Sequence, residues 1–233
     1  MKIVLIHGQN HKGSSYHIGR MIADKIGSDN VIAEYFLPRD LEHFCLGCYQ
    51  CVEDETACPF YSEKRAIMEN VENADLLIFT TPTYCLRASA PMKAFIDLNF
   101  TYWMPHSPRK AMFGKKAIVV STAAGTGMRS AIKDISTALF YWGVPCVKSY
   151  GAALQAANWE QVSDKKKEKL ERDTAKLAKN IMAAKVRVGI KTKAFFYMMR
   201  MMMKTYDDSS SEKKYWSDNG WLGKTRPWSK EAV

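Results

Sequence analysis

KIVLIHGQNHKGSSYHIGRMIADKI, residues 2–26, decides the fold. It opens with a continuous apolar run that ends at Gly8, as expected for a strand buried on both faces of a parallel sheet. A polar loop that contains glycine and serine follows over residues 8–15. Apolar residues then recur at helical spacing over residues 16–26. The stretch therefore predicts a strand, a loop and a helix whose N-terminus lies at the loop.

The same unit recurs along the chain. Apolar runs predict strands over residues 2–7, 31–37, 75–81, 115–121 and 145–151. Helical spacing predicts helices over residues 16–26, 61–74, 89–100, 129–143 and 163–185. Five alternating strand–helix units predict an α/β fold, a doubly wound five-stranded parallel sheet with helices on both faces. We expect this domain to occupy residues 1–186 and a C-terminal extension to occupy residues 187–233.

The net charge of +10 is concentrated in the last third of the chain. Residues 1–164 hold 16 Lys and Arg against 16 Asp and Glu, whereas residues 165–233 hold 18 against 8. Such a basic region can bind nucleic acid, anionic lipid or an acidic partner, or it can be the solvated face of a Lys-rich helix. We favour the solvated helix and expect no nucleic-acid partner, because no recognition motif accompanies the charge.

Six cysteines in a chain of this length fit a reducing compartment better than a disulfide scaffold. No apolar stretch reaches the length of a membrane span, and no signal peptide is visible at the N-terminus. We therefore expect a cytoplasmic protein without a membrane span. Cys85 and Cys146 lie near predicted strand ends, where we expect them to be buried as small apolar residues.

Loops with glycine, proline and small polar residues follow the predicted strands. In a doubly wound sheet, ligands bind beyond the carboxyl ends of the strands. The loop over residues 8–15 leads into a helix N-terminus, which suits a phosphate, although it could also be an ordinary helix cap. It matches neither the dinucleotide fingerprint nor the P-loop. The loops over residues 81–86 and 121–128 would lie at the same edge, where a planar ring could bind.

Two motifs carry a resemblance to a known family. Gly8-Gln9-Asn10-His11-Lys12-Gly13-Ser14-Ser15 stands where the family has a loop like G-S-P-R-x-G-N-T. Ala74-Asp75-Leu76-Leu77-Ile78-Phe79-Thr80-Thr81-Pro82-Thr83-Tyr84, followed by Met92-Lys93-Ala94-Phe95-Ile96-Asp97, matches its second signature, with Leu98 where Arg is usual. Over about residues 1–185 the chain resembles the flavodoxin-like NADPH-dependent FMN reductase family, in the branch with a cysteine-rich loop that includes iron–sulfur flavoproteins.

The resemblance implies FMN as the cofactor, with its phosphate at residues 9–16, its ring against 82–86 and its far edge against 122–127. The implied cofactor-binding residues are Gln9, His11, Gly13, Ser14, Ser15, Tyr16, Pro82, Thr83, Tyr84, Cys85, Leu86, Thr122, Ala123, Gly125 and Gly127. The implied activity is an NAD(P)H oxidoreductase that passes electrons through the flavin to a small acceptor such as a quinone. We assign no catalytic acid or base. A flavin-binding or regulatory module without turnover is a further interpretation.

Four cysteines lie close together in CLGCYQCVEDETACP, residues 45–59. Cys45, Cys48, Cys51 and Cys58 have the spacing C-x2-C-x2-C-x6-C, which is a compact pattern for a [4Fe–4S] cluster. On that alternative the protein is an iron–sulfur flavoprotein that transfers electrons. A zinc site fits such close spacing less well. A loop that keeps its cysteines without metal is the remaining interpretation.

The extension over residues 187–233 begins with a basic, Met-rich amphipathic stretch. Binding at a membrane surface is one interpretation. We favour packing instead, and expect a homodimer or homotetramer in which the extension covers the flavin site and does not bind membrane. The residues expected to pack on the core or on a second subunit are Phe195, Phe196, Met198, Met199, Met202 and Met203.

Overall fold

The computed structural model of the chain describes residues 1–229. Its strands are β1 (Lys2–His7), β2 (Val31–Phe36), β3 (Leu76–Tyr84), β4 (Arg87–Ala88), β5 (Lys116–Ala123) and β6 (Cys146–Ala153). Its helices are α1 (Ser14–Ile26), α2 (Gln50–Glu53), α3 (Tyr61–Asn73), α4 (Ala90–Leu98), α5 (Met128–Tyr141), α6 (Asp164–Ala183), α7 (Ile190–Thr205) and α8 (Ser211–Asp218).

Five strands form one parallel sheet in the order β2-β1-β3-β5-β6, which confirms the doubly wound α/β fold. The number of strands is six, where the sequence predicted five. The reason is that β3 continues past Thr81 to Tyr84, and the chain then turns back to pair β4 antiparallel with β3. Cys85 and Leu86 make this turn with positive φ angles of 48° and 62°.

Alternate residues of the strands face two separate cores, as expected for a sheet covered on both faces. Val4 and Ile6 pack with α3, α4 and α5 on one face. Ile3 and Leu5 pack with α1 and α6 on the other. The helices thereby complete a three-layer arrangement that aligns the carboxyl ends of β1, β3, β5 and β6 at one edge.

The extension folds back and forms a third apolar cluster with the domain. α7 contributes Phe196, Met199 and Met203 to it, and α8 contributes Trp216. Met104 and Phe113 of the domain complete the cluster, so these three α7 side chains pack as predicted. Residues 230–233 of the predicted extension lie outside the described residues.

One of the side chains predicted to pack on the core or on a second subunit does not pack on the core. Phe195 and Met202 are partly buried against the cluster, whereas Met198 is 52% exposed because it lies on the opposite face of α7. Within residues 1–229, no helix combines the length and the apolar character needed to cross a bilayer.

Candidate functional site

A cavity of about 310 Å³ lies at the carboxyl edge of the sheet, and we call it the sheet-edge cavity. It is lined by His11, Gly13, Ser14, Ser15, Pro82, Thr83, Tyr84, Thr122, Ala123, Ala124, Leu154, Ala156, Ala157 and Asn158. These residues come from the loop after β1 and the first turn of α1, from the ends of β3 and β5, and from the segments after β5 and β6. The volume falls at the lower end of the roughly 300–1,000 Å³ that is usual for small-molecule sites.

One wall of the cavity is the N-terminus of α1. Gly13 is the N-cap residue, and no side chain caps the helix. The first N–H groups of a helix have no partner within the helix, so those of Ser14 and Ser15 are available to a ligand in the cavity. A side chain at position 13 would place its Cβ 2.8 Å from Nε2 of His11. The closely folded loop and the helix dipole together suit an anion such as a phosphate.

The loop before α1 is held by buried hydrogen bonds. The Gly8 N–H donates to the Thr80 carbonyl at 2.7 Å, and Oγ of Ser89 donates to the Gly8 carbonyl at 2.6 Å. A Cβ at position 8 would lie 2.6 Å from that same Oγ. A residue without a Cβ is therefore needed at position 8 for the backbone to approach β3 and α4 this closely. The two hydrogen bonds fix the direction in which the loop leaves β1.

A second wall is the end of β3, where Pro82, Thr83 and Tyr84 follow the buried part of the strand. The hydroxyls of Thr83 and Ser121 are 2.9 Å apart, which joins this end of β3 to β5. Tyr84 is 48% exposed. Tyr84 lines the cavity together with the small side chains of Thr122 and Ala123, a composition that suits a flat ligand.

The third wall is the loop after β6. The Leu154 N–H donates to the Ala123 carbonyl and the Gln155 N–H to the Ala124 carbonyl, both at 2.9 Å. Nζ of Lys166 on α6 donates to the Leu154 carbonyl at 2.6 Å. These bonds hold the loop beside the loop after β5.

Further along the same loop, Trp159 stacks on His17 of α1. The ring centroids are 4.7 Å apart and the rings are inclined by 18°. Burial lowers the pKa of His17 below its usual value. The lowered pKa favours the neutral ring, and the stacking of this ring on Trp159 joins the loop after β6 to α1.

The cavity gathers nine of the fifteen sequence-predicted cofactor residues: His11, Gly13, Ser14, Ser15, Pro82, Thr83, Tyr84, Thr122 and Ala123. The six predicted residues outside its lining are Gln9, Tyr16, Cys85, Leu86, Gly125 and Gly127. Two of these lie in the exposed turn between β3 and β4, and one of them, Cys85, is exposed rather than buried as expected. Cys146 is half-buried.

The other four outlying residues have different surroundings. The ring of Tyr16 packs against His7 and Phe36, with centroid distances of 5.1 and 5.7 Å, on the side of α1 that faces β2. Gly127 has a φ of 98°, and a Cβ there would lie 2.7 Å from Cγ2 of Thr83. Gly127 thus supports the wall of the cavity from behind, whereas Gly125 borders open space.

Sequence reasoning named no residue in the loop after β6, although it expected that loop to contribute. The lining residues it missed are Ala124, Leu154, Ala156, Ala157 and Asn158. The only available signal was the position of the loop after the last strand, since small apolar side chains carry no chemistry of their own.

The four clustered cysteines line a second cavity of about 310 Å³, which we call the cysteine pocket. Its other walls come from the segment after Cys58 and from the end of α4. The backbone turns sharply at Gly47 and Tyr49, whose φ angles are 68° and 59°. The Gly47 N–H donates to Sγ of Cys45 at 3.5 Å.

All six cysteines are free thiols. Burial raises the pKa of the Cys51 thiol. Within residues 1–229, no group of three or more His, Cys, Asp or Glu side chains is placed to hold a metal ion. The four sulfur atoms therefore share a pocket but do not form a ligand set for a cluster or for zinc as they lie.

The cysteine pocket is bound to the extension through charged and polar contacts. Oγ of Ser211 donates to Oε2 of Glu53 at 2.5 Å, which links α8 to α2. Arg109 donates to Glu55 in the turn after α2, and its guanidinium lies 4.9 Å from the Tyr102 ring and 5.5 Å from the Tyr215 ring. None of residues 187–229 lines the sheet-edge cavity, so this part of the extension does not cover the cavity of its own chain.

Comparisons with known proteins agree with this geometry. An iron–sulfur flavoprotein of Methanocaldococcus jannaschii is 26% identical over 137 residues, which are 58% of this chain and 69% of the relative. A second iron–sulfur flavoprotein, from Archaeoglobus fulgidus, is 27% identical over 103 residues, which are 44% of each chain.

Solved structures share the fold. An NAD(P)H:quinone oxidoreductase from Methanothermobacter marburgensis superposes with a TM-score of 0.58 at 15% identity, over 79% of this chain and 98% of the other. The sequence profile of the NADPH-dependent FMN reductases matches residues 1–158, which include every lining residue of the sheet-edge cavity. The chain therefore belongs to the NADPH-dependent FMN reductase family.

Proposed function

We propose that the protein is an FMN-dependent NAD(P)H oxidoreductase that passes electrons to a small acceptor such as a quinone. The observation that carries this proposal is the N-terminus of α1, which opens uncapped into the sheet-edge cavity beside two walls of small and flat side chains. Such a cavity suits a ligand with a phosphate at one end and a planar ring at the other.

The residues present fit FMN. Backbone N–H groups and hydroxyls of Ser14 and Ser15 would hold the phosphate, and Gly13 lets the loop approach it closely. Pro82, Thr83 and Tyr84 would orient the ring against the end of β3. Bound FMN would supply the acceptance of a hydride from NAD(P)H and the donation of electrons to the acceptor. The protein itself would position the ring and leave one of its faces open to substrates.

Two structural relatives support a small organic acceptor. The structural relatives include the quinone oxidoreductase named above and an FMN-dependent NADH-azoreductase of Bacillus anthracis in complex with FMN. Their names indicate a quinone and an azo compound as the acceptors of those two proteins. The half-exposed Tyr84 at the mouth of the sheet-edge cavity would allow a molecule of that size to reach the ring.

The test is reconstitution of the full chain with FMN, followed by anaerobic titration with NADPH and with NADH. We expect stoichiometric FMN, bleaching of the flavin absorbance by at least one of the two nucleotides, and reoxidation by a quinone. FMN that binds but is not bleached would assign the protein to flavin binding without turnover. Absence of FMN binding would overturn the proposal.

A pair of substitutions locates the phosphate. Ser14→Glu places a negative charge in the first turn of α1, where acidic residues stabilise a helix, so the fold should tolerate it. Repulsion of the phosphate should weaken FMN binding by at least about tenfold. The control is Ser62→Glu, which adds the same charge to the first turn of α3, an exposed position outside the sheet-edge cavity. Equal FMN affinity in the two variants would contradict the placement.

An electron-transfer protein with a [4Fe–4S] cluster is the second candidate. It is favoured by the convergence of Cys45, Cys48, Cys51 and Cys58 on one pocket, and by the two relatives named iron–sulfur flavoproteins. The thiols would have to move to form a ligand set. Anaerobic purification with iron and sulfide assays separates the candidates, since four iron atoms per chain that are lost in Cys48→Ser would support the cluster.

We also propose a homodimer or homotetramer in a reducing compartment such as the cytoplasm. The support for the oligomer is apolar surface beyond the core. Phe44, Leu46 and Tyr49 are exposed beside the cysteine pocket, and Leu86 is exposed at the β3–β4 turn. Sedimentation that shows only monomer at micromolar concentration would reject the oligomer.

A further inference from the structure

Helix α7 has two apolar faces, and among residues 1–229 only one of them is packed. Phe196, Met199 and Met203 point into the cluster with the domain. On the opposite face, Ile190 is 87%, Met198 52% and Met201 70% exposed. At 100° per residue these exposed positions, with the half-exposed Tyr197, fall on one strip along the length of the helix. We call this set of residues the α7 strip.

The surroundings of the α7 strip are positively charged. Lys193 and Lys204 fall along one edge of the strip and Lys191 along the other. Residues 174–206 contain eight Lys or Arg and no Asp or Glu. Arg226, from the segment after α8, donates to Oη of Tyr197 at 3.1 Å. The α7 strip is apolar, it is flanked by lysines, and its helix has no acidic residue. Such a strip is complementary to an apolar surface that carries negative charge.

We propose that α7 docks the protein on a membrane surface that carries anionic lipid headgroups. Ile190, Met198 and Met201 would enter the boundary of the acyl chains, while the lysines would contact the headgroups with their stems along the strip. A second copy of the chain is a poorer partner, because it would bring the same positive charge to the contact. The expectation that the extension only packs therefore holds for the buried face of α7 alone.

The test is co-sedimentation of the full chain with vesicles, at low and at high NaCl. Vesicles of equal parts phosphatidylcholine and phosphatidylglycerol should bind the protein at least about tenfold more tightly than vesicles of phosphatidylcholine alone. High salt should reduce this binding because it screens the lysines. The inference is independent of the proposed flavin chemistry, so FMN content does not enter the readout.

Two double variants separate the apolar and the charged contributions. Met198→Gln with Met201→Gln removes apolar side chains without changing the charge, and Lys191→Gln with Lys204→Gln removes charge without changing the strip. Each should weaken binding to anionic vesicles by about tenfold or more. Two controls should bind as the wild type does. They are Lys148→Gln with Lys165→Gln, which loses the same charge at exposed positions outside α7, and Val31→Gln, which removes an exposed apolar residue elsewhere.

Wild-type protein that does not bind anionic vesicles, or that binds both kinds equally, would overturn the proposal without reference to any variant. So would equal losses in the α7 variants and the controls. Self-association that is abolished by Met198→Gln with Met201→Gln, without vesicle binding, would assign the strip to a second copy. Binding of RNA or of an acidic peptide without vesicle binding would also overturn the proposal.

Discussion

The two cavities have the same volume, about 310 Å³, but they are built in different ways. The sheet-edge cavity is formed by backbone at the ends of parallel strands and at one helix N-terminus. The cysteine pocket is formed by a long loop with a four-residue helix, and side chains from distant parts of the chain hold that loop. A site of the first kind follows from topology, whereas a site of the second kind depends on individual contacts.

The difference extends to the role of the C-terminal extension. It contributes no lining to the sheet-edge cavity within residues 1–229, yet α8 contacts the cysteine loop at Glu53 and packs Tyr215 near Arg109. Loss of these contacts should therefore loosen the cysteine pocket and leave the sheet-edge cavity in place. Substitutions in the extension and substitutions beside the sheet-edge cavity can test whether the two cavities are independent.

The largest effect is expected from Trp216→Ala. Trp216 is 0% exposed, stacks on Phe196 at 4.9 Å and donates from Nε1 to the His106 carbonyl at 2.8 Å. Its removal leaves a cavity and an unpaired carbonyl, which should lower the free energy of unfolding by about 3–5 kcal/mol in denaturant titrations. The modification rate of the clustered thiols by an aromatic disulfide should rise, while FMN affinity should change little.

The matched control is Trp159→Ala beside the sheet-edge cavity. Trp159 is only partly buried, so its removal should cost less stability and should leave the thiol rates unchanged. If Trp216→Ala instead lowered FMN affinity as strongly as it raised thiol reactivity, the two cavities would not be independent.

A smaller effect is expected from Arg109→Gln. Arg109 joins the cysteine loop at Glu55 to the rings of Tyr102 and Tyr215, and its side chain is mostly buried. The substitution leaves the Glu55 carboxylate with the more distant Lys64, at 3.8 Å, and should cost about 2 kcal/mol in the free energy of unfolding. Lys93→Gln is the control, because both members of the Lys93–Asp97 pair are exposed, at 62% and 45%, and this pair should contribute less than about 1 kcal/mol. Equal costs would show that burial does not distinguish these pairs.

The sheet-edge cavity should respond to backbone changes rather than to changes in the extension. Gly127→Ala introduces a Cβ at a φ of 98° and within 3.1 Å of Thr83 and Leu86, so we expect a loss of about 1–2 kcal/mol and weaker FMN binding. Gly125→Ala, in the same loop but with open space around its Cβ, should have little effect on either. Calorimetric titration with FMN would measure both variants, and equal affinities would show that Gly127 does not shape the cavity.

The contrast between the cavities also explains what the sequence could predict. Apolar runs and helical spacing locate the five parallel strands, and parallel strands bring their following loops to one edge. The nine lining residues themselves are named through the resemblance to the FMN reductase family. The β3–β4 turn could not be predicted, because Cys85 and Leu86 lack the glycine or asparagine that usually marks positive φ. The loop after β6 lines the cavity with Leu154, Ala156 and Ala157, which have no chemical signature.

The cysteine pocket shows the limit more clearly. The spacing of its cysteines is visible in the sequence, but their geometry depends on contacts over long separations, such as Ser211 with Glu53 and Arg109 with Glu55. Charged residues at these separations give no periodic pattern. Likewise, the burial of one face of α7 could be predicted from its apolar residues, whereas the exposure of Met198 depends on which face the domain covers.

The pH dependence of stability should also differ between the two cavities, because burial shifts the pKa of one group in each cavity in opposite directions. Burial lowers the pKa of His17 beside the sheet-edge cavity, so the unfolded chain binds the proton more strongly there. Stability from this group is present above the unfolded pKa of about 6.5 and is lost as the pH falls through the lowered folded value. Burial raises the pKa of Cys51 in the cysteine pocket, so its contribution is present at neutral pH and is lost as the pH rises into the alkaline range.

The smallest expected effect is the contribution of His17, which a difference between two proteins can isolate. His17→Gln keeps a polar side chain but cannot take up a proton, so only the wild type should lose stability through this group on acidification. The free energy of unfolding of the wild type relative to the variant should decrease between pH 8 and pH 5. Burial is the largest cause of the lowered pKa, and the charges of Lys12 and Lys167 act in the same direction, whereas Glu160 and a backbone hydrogen bond at Lys12 favour the protonated ring. If this difference stayed constant or grew on acidification, burial of His17 against Trp159 would not control its protonation. The contact that joins the loop after β6 to α1 would then not require a neutral imidazole.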